Sequence, residues 1–142
     1  MKFINTNKQF YSIAFREKSL ISKHYDCFTN ISISNDTLTC TGWLQPSELS
    51  IKYKIKIIYH PDSTPKVYVK EPNIEYNDEI HMYSDKRLCL YYPKEMPWNN
   101  TMHLTHTIIP WTAEWLIFYE LYQIHGVWLH PSVPHKIGEK KE

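Results

Sequence analysis

The sequence is poor in glycine and in cysteine, and each shortage excludes a class of protein. Its three glycines belong to no phosphate-binding loop of the G-x-G-x-x-G or G-x-x-x-x-G-K type. Its three cysteines are an odd number without C-x-x-C spacing, which argues against a disulfide framework and for a reducing compartment. Without a phosphate-binding loop the chain has no evident site for ATP, so we expect no cofactor. If the protein catalyses acyl transfer, the acyl group should therefore arrive already activated.

The sequence also lacks a long apolar run and an excess of charge. No stretch approaches the roughly 20 apolar residues of a membrane span, and residues 1–12 hold no run long enough for a signal peptide. The net charge of +1, from 16 basic and 15 acidic residues, creates no field that would attract nucleic acid or an anionic membrane. The sequence therefore predicts a cytoplasmic protein that binds neither membrane nor nucleic acid.

The pattern of apolar residues predicts one α+β domain over residues 1–142, with a flexible tail after about residue 135. Helical spacing predicts two helices, over residues 6–25 and 111–126. Alternating residues between them predict a four-strand antiparallel meander, over residues 30–34, 37–44, 50–59 and 65–72. Helices packed against one face of this sheet would complete two layers.

The third strand and the last helix carry the clearest signals. The strand residues expected on the buried face are Ile51, Tyr53, Ile55 and Ile57, and those expected on the wet face are Lys52, Lys54 and Lys56. In the last helix we expect Thr112, just behind Pro110, to cap the N-terminus, and Gly126 to mark the end.

Between the sheet and the last helix, residues 73–110 show no strong periodicity. A segment of this length is too long for a simple connection in a compact domain, and ordered segments of this kind often hold functional residues. Cys89 lies in the middle of it, close to two basic residues. The positive charge of Lys86 and Arg87 would favour a thiolate at Cys89.

The residues alone leave two interpretations of Cys89 open. A free cysteine is among the most buried residue types, and the stretch "LCLYY" also fits a strand in the core. As a nucleophile, Cys89 would have His81 and Tyr83 near enough to hold a reacting carbonyl group or to orient the backbone. For Cys40, in the second strand, and Cys27, after the first helix, we expect structural roles only.

The order of these elements resembles the ubiquitin-conjugating enzyme fold. That family places a His-Pro-Asn motif ahead of a catalytic Cys-Leu pair, and a tryptophan shortly after it. Here His81 precedes Cys89-Leu90 and Trp98 follows, while "YHPDSTPKVYVKEP" resembles the family's proline-rich entry into its fourth strand. The resemblance implies that Cys89 carries an acyl group as a thioester.

Stand-alone bacterial members of this fold resemble the chain more closely. They occur in the anti-phage operons called CBASS, which signal with cyclic oligonucleotides, beside a cGAS-like nucleotidyltransferase. The stretches "GWLQPSELSIKYKIKIIY", "HMYSDKRLCLYYP" and "IIPWTAEWLIFYELYQIHGVWL" are similar to that group, over roughly residues 36–135. The resemblance implies that the C-terminus of the nucleotidyltransferase is the acyl donor, that an unidentified acceptor protein supplies the amine, and that conjugation primes anti-phage signalling.

One departure from the family concerns the oxyanion. The chain reads His-Met-Tyr where the eukaryotic motif reads His-Pro-Asn, so the asparagine that helps to stabilise the oxyanion is absent from that position. Tyr83, Asn99 and Asn100 are the candidates to supply a donor instead, and the sequence does not choose between them. With Trp98, they complete the set of residues expected around Cys89.

Three other functions fit parts of the sequence. The same fold without catalysis would act as a scaffold that binds the nucleotidyltransferase. A metal site would combine His81, His103 and His106 with Cys89, but no four-ligand spacing is present and we expect no metal. Single-stranded nucleic acid could bind the lysines of the third strand, but such a site also needs aromatic rings beside the lysines on which bases can stack. The alternation of the strand puts Tyr53 on the opposite face from the lysines.

Overall fold

The computed structural model describes residues 2–130, with side chains from residue 9 onward. The elements in chain order are α1 (Lys2–His24), β1 (Asn30–Ser34), β2 (Thr37–Leu44), β3 (Tyr53–Tyr59), β4 (Lys66–Glu71), a 3-10 helix (Asp78–Ile80) and α2 (Ile108–His125). The predicted α+β class is confirmed, and the order of elements is that of a ubiquitin-conjugating-enzyme-like fold. The flexible tail predicted after about residue 135 lies outside the described residues.

The four strands form one antiparallel sheet in the order β1-β2-β3-β4, as predicted. Asn35 and Asp36 join β1 to β2 with positive φ angles of 52° and 61°. Two consecutive residues with positive φ are typical of the tight turn in a two-residue β-hairpin, because the twist of this turn matches the twist of the two strands. Asn and Asp tolerate that conformation. The first hairpin of the meander is therefore encoded by its own turn residues.

Strand β3 alternates as predicted but begins later. Its buried residues are Tyr53, Ile55, Ile57 and Tyr59, and its lysines lie on the opposite face. Ile51 is 59% exposed, so its predicted place on the buried face is wrong. The chain before β3 turns on itself through a hydrogen bond from the Ser50 amide to the Ser47 carbonyl at 3.1 Å, which keeps this stretch out of the sheet.

Helix α1 packs on β1 and β2 through its apolar stripe. Ala14 and Ile21 on this stripe are fully buried. Glu17 lies between them in sequence and is also fully buried, which is unusual for a carboxylate. After the helix the chain runs so close to β2 that a Cβ atom at Gly42 would collide with the Cys27 carbonyl. A glycine at position 42 is therefore required for this approach.

Helix α2 begins at Ile108, earlier than predicted. Thr107 is its N-cap residue, and Pro110 falls in the first turn, where a missing backbone N–H costs no hydrogen bond. Thr112 lies inside the helix and donates its hydroxyl to the Ile108 carbonyl at 2.7 Å, so the predicted cap at Thr112 is wrong. The predicted end is confirmed, because Gly126 follows the helix with a φ of 80°. Neither helix within residues 2–130 has the length and apolarity to cross a membrane.

Candidate active site

A short hairpin formed by residues 81–89 carries the candidate nucleophile, and we call it the cysteine hairpin. The Tyr83 amide donates to the Arg87 carbonyl across its turn at 2.8 Å. The Leu88 amide donates to the Val67 carbonyl of β4 at 2.9 Å, which ties the hairpin to the sheet. The segment that appeared irregular in sequence therefore has local order at the cysteine.

His81 begins the cysteine hairpin and joins it to α2 through its backbone. Its carbonyl accepts hydrogen bonds from the Cys89 amide at 2.9 Å and from the Trp115 indole N–H at 3.1 Å. Its ring is buried and stacks on the Trp128 ring, with the centroids 5.3 Å apart. This geometry suits one of the two roles expected of His81, which is to orient the backbone at the cysteine.

The Tyr83 hydroxyl and the Tyr91 carbonyl both lie near the sulfur of Cys89. Its Sγ atom lies 3.7 Å from the Tyr83 hydroxyl and 3.7 Å from the Tyr91 carbonyl. A thiol can donate its one hydrogen to either oxygen, whereas a thiolate only accepts and would take the hydrogen of Tyr83. The Arg87 guanidinium lies 4.3 Å from the centroid of the Tyr83 ring, which helps to hold the phenol in place.

Burial is the largest influence on the pKa values of the Cys89 thiol and the Tyr83 phenol. It raises the pKa of the Cys89 thiol above its ordinary value, and the Tyr83 hydrogen bond and the Arg87 charge offset only part of the rise. Burial and the nearby Cys89 raise the pKa of Tyr83 to about 12, so the phenol keeps its hydrogen at neutral pH. The Arg87 charge thus acts in the direction expected from the sequence but does not outweigh burial. Lys86 instead donates to the Asn73 side chain at 3.1 Å.

Cys89 lines a narrow cavity of about 40 Å³ between the cysteine hairpin and α2. Its walls are mostly aromatic, with the rings of Tyr91, Trp111, Trp115 and Trp128. The Tyr91 and Trp111 rings contact each other with centroids 5.7 Å apart. Although Cys89 is only 8% exposed, it therefore borders open space rather than a closed core.

Part of the cavity lining is polar. Glu114 on α2 and His130 after α2 both line it, and the Nε2 atom of His130 lies 3.3 Å from the Oε1 atom of Glu114. The His130 ring also meets the Phe118 ring edge-on, with centroids 4.7 Å apart. The sequence offered no signal for these two residues, because neither is near Cys89 in the chain and only the packing of α2 brings them to it.

The other residues predicted to support the site make contacts elsewhere. Trp98 packs edge-on against a buried core tyrosine with centroids 5.8 Å apart. Asn99 accepts a hydrogen bond from the Thr101 amide at 3.0 Å, and the Asn100 side chain donates to the Pro61 carbonyl at 3.3 Å. None of these three residues lines the cavity. Of the candidate oxyanion donors, Tyr83 is the one that the fold brings to the sulfur.

A second buried polar group ties α1 to the segment before α2, and we call it the Glu17 cluster: Arg16, Glu17, His103 and Leu104. The Oε2 atom of Glu17 bonds the Arg16 Nε atom at 2.7 Å and the His103 Nδ1 atom at 2.9 Å. Its Oε1 atom accepts from the Leu104 amide at 2.7 Å. Both oxygens of this carboxylate are therefore fully engaged inside the protein.

The histidines considered for a metal site are separated. His81 lines the cavity with Cys89, whereas His103 belongs to the Glu17 cluster and His106 rests edge-on against it at 5.6 Å between centroids. Within residues 2–130, no three His, Cys, Asp or Glu side chains lie together in a way that could hold a metal ion.

Comparisons with known proteins identify the family. No curated protein matches the chain. A protein-family model described as "Type II CBASS E2 protein" matches residues 17–136, which include the cysteine hairpin and every residue named above as lining the cavity. The chain therefore belongs to the family of type II CBASS E2 proteins.

Proposed function

We propose that the protein carries the C-terminal acyl group of a partner protein as a thioester on Cys89 and transfers it to an amine. One observation carries this proposal: Cys89 lines an aromatic cavity, and the Tyr83 hydroxyl lies 3.7 Å from its sulfur. A nucleophile in this setting has space to receive a carbonyl group and a hydrogen-bond donor beside it.

The reaction has two steps. First, the Cys89 thiolate attacks the carbonyl carbon of an activated acyl group, and the activating group leaves. Second, an amine nitrogen attacks the thioester, the C–N bond forms and the C–S bond breaks, which gives an amide and free Cys89. Each tetrahedral intermediate carries a negative oxygen, and one donor to such an oxygen stabilises it by about 3 kcal/mol. We assign this donor to Tyr83, whose hydroxyl keeps its hydrogen at neutral pH.

Family membership supports the choice of partner. A type II CBASS E2 protein belongs to an operon context that implies partners such as a nucleotidyltransferase. We propose that the acyl donor is the C-terminus of the cGAS-like nucleotidyltransferase, that an unknown protein supplies the acceptor amine, and that conjugation primes anti-phage signalling. The cavity of about 40 Å³ has room for a terminal carbonyl group beside the sulfur and is too small for a folded surface to enter.

Co-expression with the nucleotidyltransferase of the same operon tests the proposal. We expect a covalent species on a non-reducing gel that thiol reagents remove, and that Cys89→Ala abolishes. Cys89→Ser would hold the acyl group as an oxygen ester that thiol reagents do not remove. Cys27→Ser is the control, because Cys27 is a free cysteine that is more exposed than Cys89 but lies outside the cavity. If every covalent species persists in Cys89→Ala, the thioester proposal is wrong.

A non-catalytic scaffold is the second candidate, and the burial of the sulfur favours it. Cys89 is 8% exposed and its thiol pKa is raised by burial, both of which slow a nucleophile. A scaffold predicts that Cys89→Ala leaves both nucleotidyltransferase binding and phage protection unchanged. Retained binding with lost protection, measured by pull-down and phage plating, would support the transferase instead.

A further inference from the structure

The polar part of the cavity lining contains a histidine and a carboxylate that the two proposed steps leave unused. His130 and Glu114 line the same cavity as Cys89, with 3.3 Å between the Nε2 and Oε1 atoms. The His130 side chain is 21% exposed, against 52% for Glu114, so the imidazole is the more enclosed of the pair. The edge-on contact with Phe118 also restricts the orientation of the imidazole ring.

The transfer step needs a group that takes a proton. An amine that attacks a thioester becomes positively charged as the C–N bond forms. Until it loses a proton, nitrogen leaves more readily than sulfur, and the intermediate returns to the thioester. The barrier to expelling sulfur is higher at Cys89 than at an exposed cysteine, because burial raises the pKa of its thiol and makes the thiolate a poorer leaving group.

We propose that His130 is the general base of the transfer step and that Glu114 is the positioning residue that orients its ring. This inference rests on the proposed thioester at Cys89. The amine adds to the thioester carbonyl, His130 takes the proton from nitrogen, and the C–S bond breaks. The departing sulfur then receives that proton from His130, so the products are an amide, a free thiol and neutral His130.

The other titratable side chains that line the cavity are Tyr91, Tyr92 and His81. Burial raises the pKa of Tyr91, so its phenol keeps its own hydrogen and accepts a second one poorly. The ring of His81 is 7% exposed and lies flat against Trp128, which leaves it less accessible than His130 to an amine that arrives from solvent. His130 has a carboxylate partner that lines the same cavity, with 3.3 Å between the Nε2 and Oε1 atoms, and this contact can orient the imidazole ring.

An experiment that separates loading from transfer tests this role. The full-length protein is loaded at Cys89 by exchange with a synthetic thioester of the nucleotidyltransferase C-terminal peptide. Discharge of the loaded protein is followed by mass spectrometry with free lysine and, separately, with hydroxylamine. Hydroxylamine is less basic than lysine, so the protonated nitrogen of its adduct is more acidic. This nitrogen loses its proton to water and does not need a general base. His130→Asn is compared with His125→Asn, an exposed histidine at the end of α2.

We expect His130→Asn to load at the wild-type rate and to discharge to lysine about 100-fold more slowly, since a general base contributes at least that factor. Its discharge to hydroxylamine should stay close to wild type. Glu114→Gln should slow lysine discharge by about 10-fold with the same difference between the two nucleophiles, because the ring is then less well oriented. Imidazole in the buffer should restore part of the lysine discharge of His130→Gly, and His125→Asn should behave as wild type.

Two results would overturn the role of His130. One is discharge of His130→Asn to lysine at the wild-type rate. The other is an equal loss with lysine and hydroxylamine, which would show that the substitution damages the cavity instead of removing a base. A wild-type protein that cannot be loaded at Cys89 at all would overturn the thioester proposal as well, so the two failures are distinguishable.

Discussion

The Glu17 cluster and the Cys89 cavity both place polar groups inside the protein, and they differ in how well these groups are satisfied. In the Glu17 cluster, both carboxylate oxygens accept hydrogen bonds, and Glu17 is fully buried. Around the cavity, the indole N–H of Trp128 is buried without a hydrogen-bond partner, and burial raises the pKa of the Cys89 thiol. The Glu17 carboxylate is fully enclosed, whereas Cys89 borders an open cavity.

This difference separates a group that stabilises the fold from the group to which we assign the proposed reaction. A buried polar cluster with all its hydrogen bonds made contributes to stability and to a unique arrangement of its elements. A polar group that is buried beside a cavity has lost its hydrogen bonds to water and has not replaced all of them with hydrogen bonds to the protein. A ligand in the cavity can supply the missing hydrogen bonds. Substitutions in the two regions should therefore affect different measurements, and four predictions examine this contrast.

The largest effect is expected in the Glu17 cluster. Glu17→Ala should lower the free energy of unfolding by about 3 kcal/mol, because it leaves His103 and the Leu104 amide without their buried partner. Urea unfolding followed by tryptophan fluorescence measures the change. Glu48→Ala, at an exposed position, serves as the control. A loss as small as that of the control would remove the distinction drawn between the two regions.

Next in size is the effect of removing the hydroxyl beside the sulfur. Tyr83→Phe should slow the loading of Cys89 from a peptide thioester by about 100-fold, as the loss of one oxyanion donor does in other enzymes. The cost in unfolding free energy should be about 1 kcal/mol or less, because the lost contact at 3.7 Å is a weak one. Tyr76→Phe, at an exposed tyrosine, is the control. Unchanged loading would mean that another donor stabilises the oxyanion.

A smaller effect is expected in the pH dependence of Cys89. Its pKa is raised in the folded protein, so alkylation of Cys89 in a Cys27→Ser background should have a midpoint at higher pH than in urea. The neutral thiol is favoured by folding, so the associated stability is present below the unfolded pKa and is lost as pH rises through the folded pKa. Tyr83→Phe should move the midpoint higher still, because the thiolate loses a donor. The rate of Cys89 alkylation by iodoacetamide is measured by mass spectrometry across a range of pH. A midpoint in the folded protein that is equal to or lower than the midpoint in urea would contradict this prediction.

The smallest effects are expected at Asn99 and Asn100. Their side chains bond the Thr101 amide and the Pro61 carbonyl, away from the cavity. Asn99→Ala and Asn100→Ala should each change the unfolding free energy by about 1 kcal/mol or less and leave loading and transfer close to wild type. A large loss of transfer in either variant, with stability retained, would place an oxyanion donor where the fold now shows a structural contact.

The sheet was predictable because each strand carries its own local signal. Alternation in β3 and the Asn35-Asp36 turn need no information from the rest of the chain. The errors lie where local signals are ambiguous. Ile51 continues the alternation of β3 although a turn at Ser47–Ser50 separates it from the sheet. The start of α2 was predicted after Pro110, but proline is also common within the first turn of a helix, and α2 begins two residues before it.

The site was predictable only as far as it is local. Cys89, His81 and Tyr83 belong to one hairpin, so their closeness follows from their closeness in the chain. Glu114 and His130 join them only through tertiary packing, which no spacing encodes. Glu17 did carry a signal that went unused: it is a carboxylate placed between buried Ala14 and Ile21, and such a residue needs a buried partner.

The His81 carbonyl has a consequence for how a partner must approach. Because it accepts hydrogen bonds from both Cys89 and Trp115, the main chain at the sulfur is immobilised against α2 before any encounter. Ordering a residue costs about 1–2 kcal/mol of entropy, and in the proposed transfer that cost falls on folding instead of on each reaction. In the proposed reaction the acyl donor is the flexible partner, and it meets a main chain whose position at Cys89 is already fixed by the fold.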